Sequence, residues 1–277
     1  MERSGIFIFP PYQNTKSRRL TRRTVLQPAT IFKPQDGSLA PEIHFPLQTV
    51  MVPDRPPYPR FVNRFDSREI LLVVDGSCVN NGRHLREDEA PVGGCSFTFK
   101  GTPSISLDPP PTPITFPFLG LQSQEVSGSI AFRLEREGPD GEPVEHTSNR
   151  AKLRAVIAAL QFRPWDAEGW RSVVILTDLE YIVRGATTWL PRWVKRSWKK
   201  PGRSAGKYAN RDLWEELQSR IDELRTRDCE VSFWLVRAGD EYESRFIART
   251  KEAARRAARV SPGMEVEKFT KLCGIML

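Results

Sequence analysis

The stretch His146-Thr147-Ser148-Asn149-Arg150-Ala151-Lys152-Leu153 opens the best-defined helix of this chain. From Asn149 to Phe162 the apolar positions Leu153, Val156, Ile157 and Leu160 recur at helical spacing, with Thr147 or Ser148 available as a cap. Working outward, Ile70-Leu71-Leu72-Val73-Val74 reads as a strand buried on both faces, ending at Asp75-Gly76. Residues 93–99 and 128–134 give two more strands, each entered through glycine. Beyond the helix, Ser172 to Thr177 is another buried strand that ends at Asp178, and helical spacing resumes from Glu180 to Leu190. Helices are expected over residues 211–226 and 243–259, separated by a strand over 230–236. The order β-β-β-α-β-α-α-β-α describes an α/β fold with a five-stranded mixed sheet flanked by helices.

Three segments fall outside that pattern. Residues 1–65 are rich in proline and arginine and are expected to form an extended, largely disordered basic arm. The folded domain spans 66–260, with a proline-rich insertion at about 101–127 where Asp108-Pro109-Pro110-Pro111-Thr112-Pro113 argues against regular pairing. A tail of residues 261–277 follows.

The formal charge of the 277-residue chain is +8, and residues 1–65 hold ten Lys/Arg against four Asp/Glu, or +6 of it. The basic excess therefore belongs mainly to the arm, and overall charge alone does not mark the domain as a nucleic-acid binder. Cys78, Cys95, Cys229 and Cys273 are scattered, form no C-x-x-C pair and have no His partner nearby in sequence, which excludes a zinc site or disulfide framework. With no apolar run of membrane-spanning length and no secretory layout, the sequence reads as that of an intracellular protein.

Four segments together carry a resemblance. They are Val74-Asp75-Gly76-Ser77-Cys78, Thr147-Ser148-Asn149-Arg150-Ala151, Thr177-Asp178-Leu179-Glu180-Tyr181, and Trp189-x3-Trp193-x4-Trp198-Lys199 followed by Asn210-Arg211-Asp212-Leu213-Trp214. In order and spacing they resemble the type 1 ribonuclease H family, over about Ile70 to Ala258. The resemblance implies the ribonuclease H-like fold and a site where four carboxylates hold two Mg²⁺ (or Mn²⁺) ions that cut the RNA strand of an RNA·DNA hybrid. It assigns Asp75 as the bridging metal ligand and Asp178 as a second.

The other two positions depart from the family. Lys152 stands where T-x-N-R-A-E has its glutamate, and Ile247 is taken for the aspartate of an A-D-x-A-A-K-like context. The net change is three charge units against metal binding, which disfavours two dications held in the family's manner. Lys152 is expected either to pair with Asp75 and Asp178 in place of a metal, or to lay its stem on the sheet with its ammonium in solvent. Glu243, one turn before Ile247, is a candidate replacement carboxylate; its other reading is a helix-start acid that complements the macrodipole.

The resemblance also implies a grip on nucleic acid. Residues 189–209 hold seven cations and no acid, interleaved with aromatic rings. Trp189, Trp193, Lys195, Trp198, Lys199 and Lys200 match a basic protrusion that holds the DNA strand, and Asn81, Thr147 and Asn149 match backbone or base contacts. Three functions stay open: a protein that binds hybrid or other duplex nucleic acid with lost or weak cleavage, an active metal-dependent endoribonuclease, and a non-catalytic scaffold.

Overall fold

The computed structural model describes residues 6–8, 28–51, 58–80, 90–100, 114–116, 121–124, 128–200, 208–236, 244–259 and 266–272. Its centre is β5 (Glu69–Val79), whose alternate side chains fill two different cores. Ile70, Leu72 and Val74 face one core, and Leu71 and Val73 face the other. This double burial is why the stretch is continuously apolar and not alternating. β10 (Ser172–Thr177) lies parallel to β5 and divides its residues the same way: Val173 and Ile175 on one side, Val174 and Leu176 on the other.

The five expected strands form a mixed sheet. β11 (Glu230–Leu235) runs parallel to β10, while β6 (Val92–Thr98) and β9 (Ser129–Arg133) continue antiparallel from β5. The sheet also extends at both edges, to the order β2-β11-β10-β5-β6-β9-β8-β7. At one edge is β2 (Thr30–Ile31), and at the other a hairpin of β7 (Ile114–Phe116) and β8 (Leu121–Gln124). The hairpin corrects the expectation of an unpaired insertion, since pairing resumes once the prolines have passed; Pro109 to Pro113 lie outside the described residues.

Residues 28–65 likewise differ from the expected extended arm. A one-turn helix, α1 (Pro41–His44), and strands β3 (Leu47–Met51) and β4 (Tyr58–Phe61) follow β2, and β3 also pairs with β1 (Ile6–Ile8). Phe32, Phe45 and Phe61 are buried against Leu71, Val73, Val174 and Leu176, so this segment covers the second face of the sheet. These three phenylalanines are too far apart to show a period, yet all are buried on that face, while Ile31, Ile43, Leu47, Met51 and Phe65 of the same segment stay exposed. The tail is similarly anchored: Leu272 is buried, and the buried Arg154 guanidinium donates to both Glu135 and the Thr270 carbonyl.

The first face is covered by α2 (Ser148–Gln161) and α5 (Arg211–Thr226). The predicted 180–190 helix divides into α3 (Glu180–Arg184), a π-helical turn at Gly185–Trp189, and α4 (Leu190–Lys195). α6 (Arg245–Ala258) packs its alanine face on β6, so closely that a Cβ at Gly94 would lie 2.2 Å from the Ala254 carbonyl oxygen. Among the described residues no helix is long and apolar enough to cross a membrane.

Glu69 opens β5 in a buried position, and burial, reinforced by nearby Asp66, raises its carboxyl from 4.5 to about 7. Folding thus favours the protonated acid, a contribution complete below pH 4.5 and lost as pH rises through about 7. Denaturant midpoints should fall across that window by up to about 3 kcal/mol of stability, and Glu69→Gln should flatten the decline. An unchanged slope in the variant would assign the pH dependence elsewhere.

Candidate functional site

β5 does not stop at Asp75-Gly76; the strand runs on to Val79, with Asp75 paired to Ser96 and Gly76 to Cys95. Asp75 is therefore a mid-strand carboxylate with no solvent exposure, not the end of the strand as expected from the sequence. The next residue explains the placement. A Cβ on Gly76 would lie 2.3 Å from the Lys152 backbone nitrogen and 2.4 Å from the Ala151 carbonyl carbon, so only glycine lets the start of α2 lie on the strand. Thr147 caps that helix by accepting the Arg150 N–H at 3.1 Å, which fixes its first turn directly over Asp75.

From there Lys152 reaches both strand carboxylates. Its Nζ lies 2.9 Å from Asp75 Oδ1 and 2.5 Å from Asp178 Oδ1, the latter just past the end of β10. Of the two expectations for Lys152, the pairing geometry is the one found. A second ammonium completes the group: Lys251 Nζ of α6 donates to Asp178 Oδ2 at 3.1 Å. Burial works against charge on Lys152, but Asp75 and Asp178 outweigh it and hold the ammonium above its ordinary pKa. Burial also pushes Asp178 up, yet hydrogen bonds and charge from Lys152 and then Lys251 hold it below the usual carboxylate range. At Asp75 burial prevails over Lys152 and raises the pKa.

Ile247 takes no part. It is buried among Phe32, Phe45, Phe61 and Val236, one helical turn before Lys251. The position that meets Asp178 is held by Lys251 instead, and the run Thr250-Lys251-Glu252-Ala253-Ala254-Arg255 also accommodates A-D-x-A-A-K with both alanines aligned. Glu243 and Asn81 lie outside the described residues.

A second region adjoins the start of α2. A cleft of about 680 Å³ is lined by Thr147, Asn149, Arg150, Tyr181, Asn210 and Asp212 among others. The buried Arg150 donates to both carboxylate oxygens of Asp212, at 3.0 and 2.5 Å, locking the start of α2 to the start of α5. Sequence spacing gives no sign of that fork, although both residues stand in the quoted segments.

Around α4 the aromatic residues form a stack. Trp193 contacts Trp189, Trp198, Tyr208 and Trp214 at centroid distances of 4.7 to 5.9 Å. Trp193 and Trp198 pack partly against the main core, so their first role is to build the protrusion. Lys195 and Lys199 are exposed on it, Lys200 Nζ sits over the Tyr208 ring, and the Arg211 guanidinium sits over Trp198. Ser197 and Trp198 take the left-handed conformation, φ 49° and 60°, and the chain turns back as the Trp198 N–H donates to the Trp193 carbonyl.

A sequence model of the family described as RNase H matches residues 121–238. A ribonuclease H from Treponema pallidum is 36% identical over 192 residues, which cover 69% of this chain and 93% of the relative. The chain belongs to the ribonuclease H family. A ribonuclease HI from Pseudomonas aeruginosa is 40% identical over 87 residues; that match spans 31% of this chain and about half, 54%, of the relative. Among solved structures, LC9-RNase H1, a type 1 RNase H with the type 2 active-site motif, is 25% identical over 68% of this chain and 72% of that one, at a TM-score of 0.39.

Ribonucleases H use divalent metal ions, and this chain's residues are a poor fit to a pair of them. Two carboxylates face two ammonium groups, a formal charge of zero, and Lys152 Nζ occupies the space between Asp75 and Asp178. Among the described residues no three His, Cys, Asp or Glu side chains converge as metal ligands. The lysine in turn is indispensable to the carboxylates. Lys152→Met should leave Asp75 as an uncompensated buried charge and cost about 3–5 kcal/mol. The double variant Lys152→Met/Asp75→Asn should recover most of that loss in urea titrations. Equal losses in single and double variants would mean that the ion pair is not what stabilises this region.

Proposed function

We propose that this ribonuclease H-family chain binds RNA·DNA hybrid or a related duplex nucleic acid without two-metal cleavage. The observation that carries this reading is the Lys152 ammonium lodged between Asp75 and Asp178, seconded by Lys251. At intermediate dielectric a fixed unit charge a few Å from a dication repels it by several kcal/mol, and the chain presents two such charges. An active endoribonuclease with Asp75, Asp178 and Glu243 as metal ligands would have to break those pairs first.

Binding is supported by what stays in place. Thr147 and Asn149 line the cleft beside α2, and Lys195 and Lys199 project from the protrusion that the tryptophan stack holds rigid. Exposed lysines on a rigid base neutralise phosphates with a salt-dependent affinity, whereas a scaffold built only on protein contacts would lack that dependence. RNA selectivity is weakened in this reading, since Lys152 donates hydrogen bonds but accepts none, and a ribose 2′-hydroxyl loses the acceptor a glutamate would present.

Hybrid cleavage in Mg²⁺ or Mn²⁺ tests the catalytic half of the proposal. The natural chain should show none above background, and Lys152→Glu/Lys251→Asp should gain measurable cutting; robust cutting by the natural chain would sink the reading. Hybrid affinity should be the same with EDTA or Mg²⁺ at matched ionic strength. Replacing Lys195, Lys199 and Lys200 by Ala should flatten the plot of log affinity against log salt by roughly 0.9 for each phosphate no longer neutralised. No hybrid binding at low salt would favour the scaffold.

A further inference from the structure

α6 carries Lys251 into the site, yet the first turn of this helix is held by a residue far back in the chain. Ser244, at the N-cap, makes no cap bond of its own. Its hydroxyl instead donates to Glu42 Oε1 at 2.8 Å, and the same oxygen accepts the Phe246 N–H at 3.1 Å. One carboxylate of α1 therefore caps α6 from outside, with its negative charge at the end where the helix dipole favours it.

Glu42 is itself held firmly. In the single turn of α1, Pro41 and His44 are buried. The His44 ring lies 5.1 to 5.7 Å from those of Phe32, Phe45, Phe65 and Trp234, and its Nε2 is 2.8 Å from Gln35 Oε1. Beside the cap, the Phe246 ring packs 4.4 Å from that of Phe61, and Ile247 enters the same apolar cluster. Further along α6, Thr250 Oγ1 is hydrogen-bonded to Thr98 Oγ1 at 2.9 Å and Ala254 rests on Gly94. The middle of the helix is thus fixed by the sheet, and its beginning by Glu42 and Phe61.

We propose that Glu42 is a positioning residue for the site. It clamps the first turn of α6, sets the height at which Lys251 meets Asp178, and so couples the amino-terminal segment to the carboxylate–lysine cluster. This rests on the reading that Lys251 belongs to the functional site.

The test uses the full chain, with amide hydrogen exchange across α6 and mass-spectrometric acylation of individual lysines. In Glu42→Ala, amides of the first two turns should exchange, and Lys251 should be acylated, roughly two- to thirtyfold faster, the span that follows from removing a helix cap. Lys152 labelling should not change. Glu42→Gln should restore Lys251 protection, because its amide oxygen accepts the same two hydrogen bonds, an outcome that general destabilisation would not produce. Should Glu42→Ala not fold, Glu42→Asp, one methylene short of the two donors, carries the same comparison. Lys251 protection unchanged in a folded Glu42→Ala or Glu42→Asp overturns the proposal, as the Thr250 contact would then suffice. Lys251→Met assayed for hybrid binding separates the premise: unaltered affinity would remove Lys251 from the site while leaving the Glu42 coupling itself readable by exchange.

Discussion

The bare backbone at Gly76 lets the start of α2 lie directly on the central strand, and the site is built around that contact. Were a methyl group there, the helix would have to lift, and Lys152 would lose its reach to Asp75. The strand supplies one carboxylate, its parallel neighbour supplies the other, and the helix supplies the charge that makes burying them tolerable. The close approach thus encloses two carboxylates and two ammonium groups, a cluster with no net formal charge.

Positive charge reaches Asp178 from two separate elements. Lys152 comes from α2 on one side of the sheet, and Lys251 from α6. Two lysines meeting one aspartate from different helices share the aspartate's two oxygens, one each, which is the geometry of a satisfied pair and not of a lysine left over in a vacated pocket. The protrusion around α4 carries its cations on an aromatic framework, apart from this charge-balanced cluster.

Much of this is legible in the sequence because it rests on local patterns. The double-faced strands announce themselves as unbroken apolar runs, α2 by its spacing and its Thr147 cap, and Lys152 by interrupting a recognisable motif. What escapes has non-local causes. Residues 28–65 show no period because Phe32, Phe45 and Phe61 plug gaps on a surface that only the assembled sheet creates. Asp75-Gly76 resembles a strand end because a glycine needed for helix contact and a glycine needed for a turn are the same letter. Lys251 lies one helical turn from the residue that the sequence singles out, and only the assembled structure shows that Ile247 enters the apolar cluster while Lys251 meets Asp178.

The placement of residues 28–65 also bears on how the chain folds. Part of the surface these residues need is β11, Val236 and the first turn of α6, about two hundred residues further along the chain. Phe32, Phe45 and Phe61 pack on Leu71 and Val73, which lie nearby in sequence, but also on Val174, Leu176, Val236 and Ile247, which lie far from them. Completing that packing closes a loop of about two hundred residues, the kind of contact that folds slowly and leaves apolar surface open meanwhile. This segment is therefore a latch, closed by residues about two hundred positions further along the chain.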